Sequence, residues 1–239
     1  MTQGRPPVVW QRQIAAVIPR HVWLKAIGTM LFIGVFFGAY FYLLKYPAYP
    51  TTVMPFTRLD RLIGFHPLTM PLYVSLWVYV SLPPVLLGTR GELYAYGLAM
   101  AATCLAGLLI FYFWPTVVPP PDIDWSLYPG VDFLKQMDAS GNAFPSLHVA
   151  TATFSGVWLH HLLRRFKVPK WVLLVNWLWC VGIVYSTLAT RQHVAVDVAG
   201  GLILGGLASY LSLRHRARAR ATGKIPSLLP MDPDRPAEF

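Results

Sequence analysis

Residues 93–114 read LYAYGLAMAATCLAGLLIFYFW, twenty-two positions without a charge. A bilayer core about 30 Å thick takes about 20 mostly apolar residues as a helix, so this stretch is long enough to cross one. It lacks the period-two alternation of a barrel strand. Five further windows share its character: 22–44, 68–87, 147–163, 171–189 and 193–213. The sequence therefore predicts an all-α polytopic membrane protein with six transmembrane helices. It divides into a segment 1–21, the helical domain 22–213 and a basic, proline-containing tail 214–239. Composition agrees: 55% of the residues are hydrophobic and 13% charged, and the mean hydropathy is +0.48, the wrong balance for a soluble domain of this size. Residues 1–13 are polar and the first apolar run is too long for a cleavable signal, so the first helix is expected to remain as an anchor.

The net charge of +10 raises the possibility of a nucleic-acid partner, but the basic residues flank spans and form no single patch, so none is expected. Fifteen of the 20 Lys and Arg fall on the side of both termini and 5 on the other. The positive-inside rule then predicts cytoplasmic termini in a cytoplasmic (inner) membrane, with the opposite face toward the periplasm or exterior. Lys25, near the start of the first span, is expected to snorkel to the headgroups. Two long connections, 45–67 and 115–146, lie on the outer side. The second carries FWPTVVPPPDIDW, whose prolines forbid regular helix and predict an extended ledge.

Nine of the ten acidic residues fall in loops, tails or span edges; Asp197, in TRQHVAVDVAGG, is predicted within the sixth helix. A carboxylate in the middle of a membrane helix costs about 2.5–3.5 kcal/mol on insertion scales, which makes it a functional candidate. His193 precedes it by four residues, one helical turn, so the carboxylate can hydrogen-bond the imidazole and raise the basicity of its other nitrogen. His148, in AFPSLHVATATF (143–154), sits at the same outer end of the fourth span. Ser146 and Pro145 mark a helix start whose first amides, with the helix dipole, favour an anion. Gly141 and Asn142 suit a tight turn leading into it. Gly201 and Gly205, in AGGLILGG, read as a close-packing helix face, and Pro83–Pro84 as a kink or end of the second span. Cys104 and Cys180 fall inside spans and read as packing residues.

PSLH at 145–148 and HVAVD at 193–197, with FWPTVVPPP ahead of them, resemble the second and third motifs of the type 2 phosphatidic acid phosphatase (PAP2) superfamily of membrane phosphoesterases. The resemblance spans about residues 58–210. It implies a PAP2-like helical bundle and a lipid phosphatase or phosphotransferase acting at the outer face through a phosphohistidine. His193 would be the nucleophile, Asp197 its orienting partner and His148 the acid/base. Ser146, Leu147 and the nearby amides would hold the phosphoryl oxygens, with no metal and no cofactor. Two motif elements are missing: the first-motif Lys-x6-Arg-Pro, and the Ser-Arg that opens the third, where Ser186 and Thr187 stand. Arg191 and Lys135 are the leading replacement cations, followed by Arg58 and Arg61. The divergent inositol-phosphorylceramide synthase branch resembles this pattern and implies transfer to a hydroxyl instead of water; DRLIGFHPL and SLWVYVSLPP look closer to it.

The residues also admit other readings. Intramembrane Asp and His can relay protons in a transporter, although a relay would spread ionisable groups through the bilayer depth. His148, His193 and Asp197 could ligate a metal, but the helix start before His148 favours an anion. A non-catalytic membrane scaffold is the third alternative. The expected partners are the bilayer and a membrane lipid phosphate.

Overall fold

The computed structural model of the protein describes residues 9–120, 123 and 141–222. Its helices are α1 (Val9–Val17), α2 (Val22–Lys45), α3 (Arg58–Ile63), α4 (Met70–Val74), α5 (Leu76–Val85), α6 (Arg90–Phe113), α7 (Leu147–Arg165), α8 (Lys170–Ala189) and α9 (Ala195–Ala221). A 3-10 turn, Pro67–Thr69, leads into α4, and Ser75 alone interrupts α4 and α5. Among the described residues, five helical stretches are long and apolar enough to cross a membrane: α2, Pro67–Val85, α6, α8 and α9. The chain is an all-α polytopic membrane protein. α7 is not among the five, because its polar and basic residues include His148, Thr151, Thr153, Ser155, His160, His161, Arg164 and Arg165. It is instead the helix the others surround, packing on α5, α6, α8 and α9. Eleven of its 19 residues are buried, whereas α2 buries only Lys25.

α7 and α9 are held close by glycine. A Cβ at Gly201 would lie 2.5 Å from the Ser146 carbonyl oxygen, and one at Gly205 would overlap the Ala150 backbone. The predicted glycine face is therefore the seam between these two helices. On the neighbouring face of α7, Gly156 admits Cys180 and Tyr79, consistent with a packing role for that cysteine. Tyr79 donates to Asn176 Oδ1 at 2.7 Å, and Asn176 Nδ2 to the Gly156 carbonyl at 3.1 Å, so this polar chain is satisfied in the core.

The two long connections meet. Strand β1 (Thr52–Val53) pairs in parallel with β2 (Thr116–Val117), and Val117 bridges to Gly141. The proline ledge thus contributes a strand. Thr116 accepts the Phe144 amide on its Oγ1 at 2.7 Å and the Ala143 amide on its carbonyl at 3.3 Å. Asn142 occupies the predicted turn with φ 51° and donates to the Tyr40 carbonyl at 3.2 Å.

The opposite end of the bundle corrects one expectation. Lys25 does not snorkel: its Nζ donates to the carbonyls of Val17, Ile18 and Val85 at 3.0, 3.3 and 2.9 Å. Those acceptors lie at the ends of α1 and α5, where helix carbonyls lack partners, so a buried ammonium is well satisfied there. Glu92 lies at the edge of its span as expected, in the first turn of α6, and is buried. Its Oε1 meets Arg165 at 2.8 Å and Arg216 at 3.4 Å, and its Oε2 accepts the Gly88 amide at 3.2 Å. One carboxylate thereby ties α6, α7 and α9 together.

Candidate active site

At the other end of α7 the chain enters through a cis Phe144–Pro145 bond, and Ser146 caps the helix. Pro145 therefore precedes the cap instead of occupying the first turn. The Ser146 hydroxyl accepts the Val149 amide at 3.2 Å, while its own amide donates to the Asp197 carbonyl at 3.0 Å. The two motifs are joined by a main-chain bond. Ser146 is fully buried, so it acts on the site through the geometry of the helix start. Among the described residues, the amides of Leu147 and His148 meet no acceptor. These two donors stand at the positive end of α7, where unpartnered amides favour an anion.

His148 stacks on Tyr73, with ring centroids 4.0 Å apart and planes 15° from parallel, which fixes the imidazole plane. His193 comes from the other side. It was expected inside the last helix, but α9 starts at Ala195 and His193 belongs to the loop before it. The reason lies in the caps. Arg191 takes φ 58°, turning the chain, and Asp197 Oδ2 reaches back to accept the Val194 amide at 3.0 Å. Asp197 is thus a first-turn residue, where the helix dipole favours its charge, and not a mid-helix carboxylate. Its Oδ2 still lies 3.6 Å from His193 Nδ1. That is an approach just beyond hydrogen-bond length.

Five buried side-chain polar atoms lack a hydrogen-bond partner among the described residues, and three of them are His148 Nε2, His193 Nδ1 and Asp197 Oδ1. Buried polar atoms are nearly always paired, so unpaired atoms gathered at one end of a bundle mark a place built for something else. A fourth, Gln192 Nε2, belongs to the residue next to His193. Both histidines line one cavity of about 810 Å³, together with Tyr73, Asn142, Leu147 and Thr151.

Arg191 reaches outward from this loop: its guanidinium donates to the Asp60 carbonyl at 2.8 Å and lies 4.9 Å from the Phe56 ring centroid. Arg58 and Arg61 are exposed, and Lys135 lies outside the described residues. Ser186 and Thr187, at the family's Ser-Arg positions, turn their hydroxyls onto the carbonyls of Ile183 and Val184.

Sequence reading missed Asp60. It is buried in α3, where Oδ2 accepts the Thr57 amide at 2.7 Å and the Thr57 hydroxyl at 2.6 Å. Its Oδ1 accepts the Ala195 amide at 2.8 Å, so one carboxylate closes a capping box on α3 and caps α9 two residues after His193. The signal was present in Thr57-x-x-Asp60 before an apolar turn, but the partner on α9 is 135 residues away.

No curated protein and no solved structure matches the chain. The family model of the PAP2 superfamily matches residues 92–221, which includes Ser146, His148, His193 and Asp197 and covers more than half of the sequence. With α7 and α9 sewn together at these residues, the chain belongs to the PAP2 superfamily.

Proposed function

We propose that the protein removes or transfers the phosphoryl group of a membrane lipid phosphate at the outer face of a cytoplasmic membrane. The observation that carries this reading is the gathering, on His148, His193 and Asp197, of three buried atoms that are unpaired among the described residues, beside first-turn amides of α7 that meet no acceptor there. His193 Nε2 attacks phosphorus while Asp197 steadies the proton on Nδ1, so the imidazole becomes a better nucleophile. The P–O bond to the lipid breaks and His148 gives its proton to the departing oxygen. His148 then takes a proton from water, which attacks the phosphohistidine, releasing phosphate and restoring His193. The Leu147 and His148 amides hold the phosphoryl oxygens, with Arg191 supplying positive charge from the loop. The charge asymmetry of the sequence supports cytoplasmic termini and an outward site.

The test is phosphate release from a panel of lipid phosphates by purified protein in detergent with EDTA present. Wild-type activity should persist, His193→Ala should abolish it, and His148→Ala should lower it about 10²–10⁴-fold. Radiolabelled lipid phosphate should leave acid-labile label on the wild type and none on His193→Ala. Unchanged activity in His193→Ala would refute the nucleophile, and EDTA-sensitive turnover would point to a metal. Adding inositol or glycerolipid acceptors separates hydrolysis from transfer.

A further inference from the structure

The cavity that begins at His148 and His193 does not stop there. It continues along α2 from Phe41 to Leu24, about 25 Å at 1.5 Å per residue, and ends at Lys25, whose ammonium is held by three carbonyls. Its walls are apolar: Phe36 and Tyr40 of α2, Val80 of α5 and Met100 of α6. Its volume of about 810 Å³, its length and its apolar walls suit a hydrocarbon chain. The groove runs parallel to membrane-crossing helices and α2 buries only Lys25, so bilayer chains can reach it from the side.

Resting on the functional reading above, we propose that this groove receives the substrate's hydrocarbon chain and measures its length, with Lys25 as the floor and the two histidines at the mouth. Lipid tails are as apolar as the groove, so the transfer from bilayer to groove contributes little affinity. The contribution is positional. A chain that threads the groove brings its phosphate to the Leu147 and His148 amides, and a chain that cannot thread leaves the phosphate misplaced.

Two wall residues give a direct test. Gly28 and Gly97 line the groove, and a Cβ added at either meets nothing within 4 Å, so a side chain can be started there without a clash at its first carbon. Gly97 lies ten residues below Gly107, the level at which Leu147 packs on α6, or about 15 Å down the groove. Gly34 has equal room but does not line the groove, which makes it the control.

Phosphate release from octyl and octadecyl phosphate would be compared for the full-length protein. Gly28→Phe and Gly97→Phe should lower kcat/KM for octadecyl phosphate about tenfold, in the range of overpacking costs, and change that for octyl phosphate less than twofold. Gly34→Phe should change neither. Equal losses on both substrates, or no loss on either, would overturn the proposal. A second arm needs no turnover: octadecyl phosphate with a diazirine at the chain end should label peptides around Gly28 and Gly97 in the wild type, and lose that labelling in Gly97→Phe. If no alkyl phosphate is hydrolysed, the functional reading fails and the labelling still decides the groove. Labelling elsewhere, or equal labelling by the diazirine of octadecanol, would refute a substrate subsite.

Discussion

Replacing the Asp60 side chain should loosen the loop that carries His193. The carboxylate accepts three hydrogen bonds, two from Thr57 and one from Ala195, at 2.6–2.8 Å. Bonds to a charged group contribute about 1.5–3 kcal/mol each, and a buried donor left unpaired costs about 1–3 kcal/mol. Asp60→Ala removes all three acceptors at once. Because Thr57 can turn to water while the Ala195 amide is half-buried at a helix start, the net loss should be about 3–5 kcal/mol. Asp60→Asn keeps one oxygen for Ala195 but opposes an amide to the Thr57 donors, so its loss should be about 1–2 kcal/mol. Hydrogen exchange of residues 190–198 reads this directly. Asp60→Ala should accelerate it about 10²–10³-fold and Asp60→Asn about tenfold, with α8 unaffected. Phosphate release should fall in the same order, because His193 lies two residues from the capped amide. If exchange at Val194 and Ala195 is unchanged in Asp60→Ala, the carboxylate does not hold this loop and the reasoning fails.

Two further outcomes follow from the packing. Gly205→Ala sets a methyl against the Ala150 backbone and should cost about 1–3 kcal/mol in thermal unfolding as well as most of the turnover. Gly206→Ala, with open space at the same depth, should leave both unchanged; similar behaviour of the two variants would refute the seam. Glu92→Gln leaves Arg165 and Arg216 facing each other without their carboxylate, and should destabilise by about 3–5 kcal/mol. A melting temperature within a degree of wild type would show that the pair contributes nothing.

Much of the fold was legible because a membrane helix is decided by the run of side chains along itself. The windows 22–44, 93–114 and 171–189 lie within three residues, at each end, of α2, α6 and α8. What the windows missed depends on partners distant in sequence. Lys25 looked like an interfacial lysine because its acceptors Val17, Ile18 and Val85 come together only in the fold. α9 runs to Ala221, eight residues past its window, because an alternation of Arg and Ala is strongly helical without being apolar. At the site, the sequence showed that His148, His193 and Asp197 belong together. It could not show that His193 stands outside the helix, because that depends on Arg191 at φ 58° and on Asp60, a carboxylate from another element. The surroundings of Arg191 were illegible for the same reason: it is two residues from His193 in sequence, and its contacts with the Asp60 carbonyl and the Phe56 ring arise only in the fold.

The helix bearing His148 is at once the most enclosed of the bundle and the least suited to enter a membrane by itself. Its serine, threonines, histidines and arginines would leave a newly made segment with little preference for lipid. α6 precedes it and α8 and α9 follow it, all three apolar enough to insert independently. During synthesis α7 therefore has to wait for its neighbours, settling as α9 closes the glycine seam. The end that carries His148 and His193 is consequently among the last parts to be assembled. A chain that inserts incompletely therefore leaves its histidines apart.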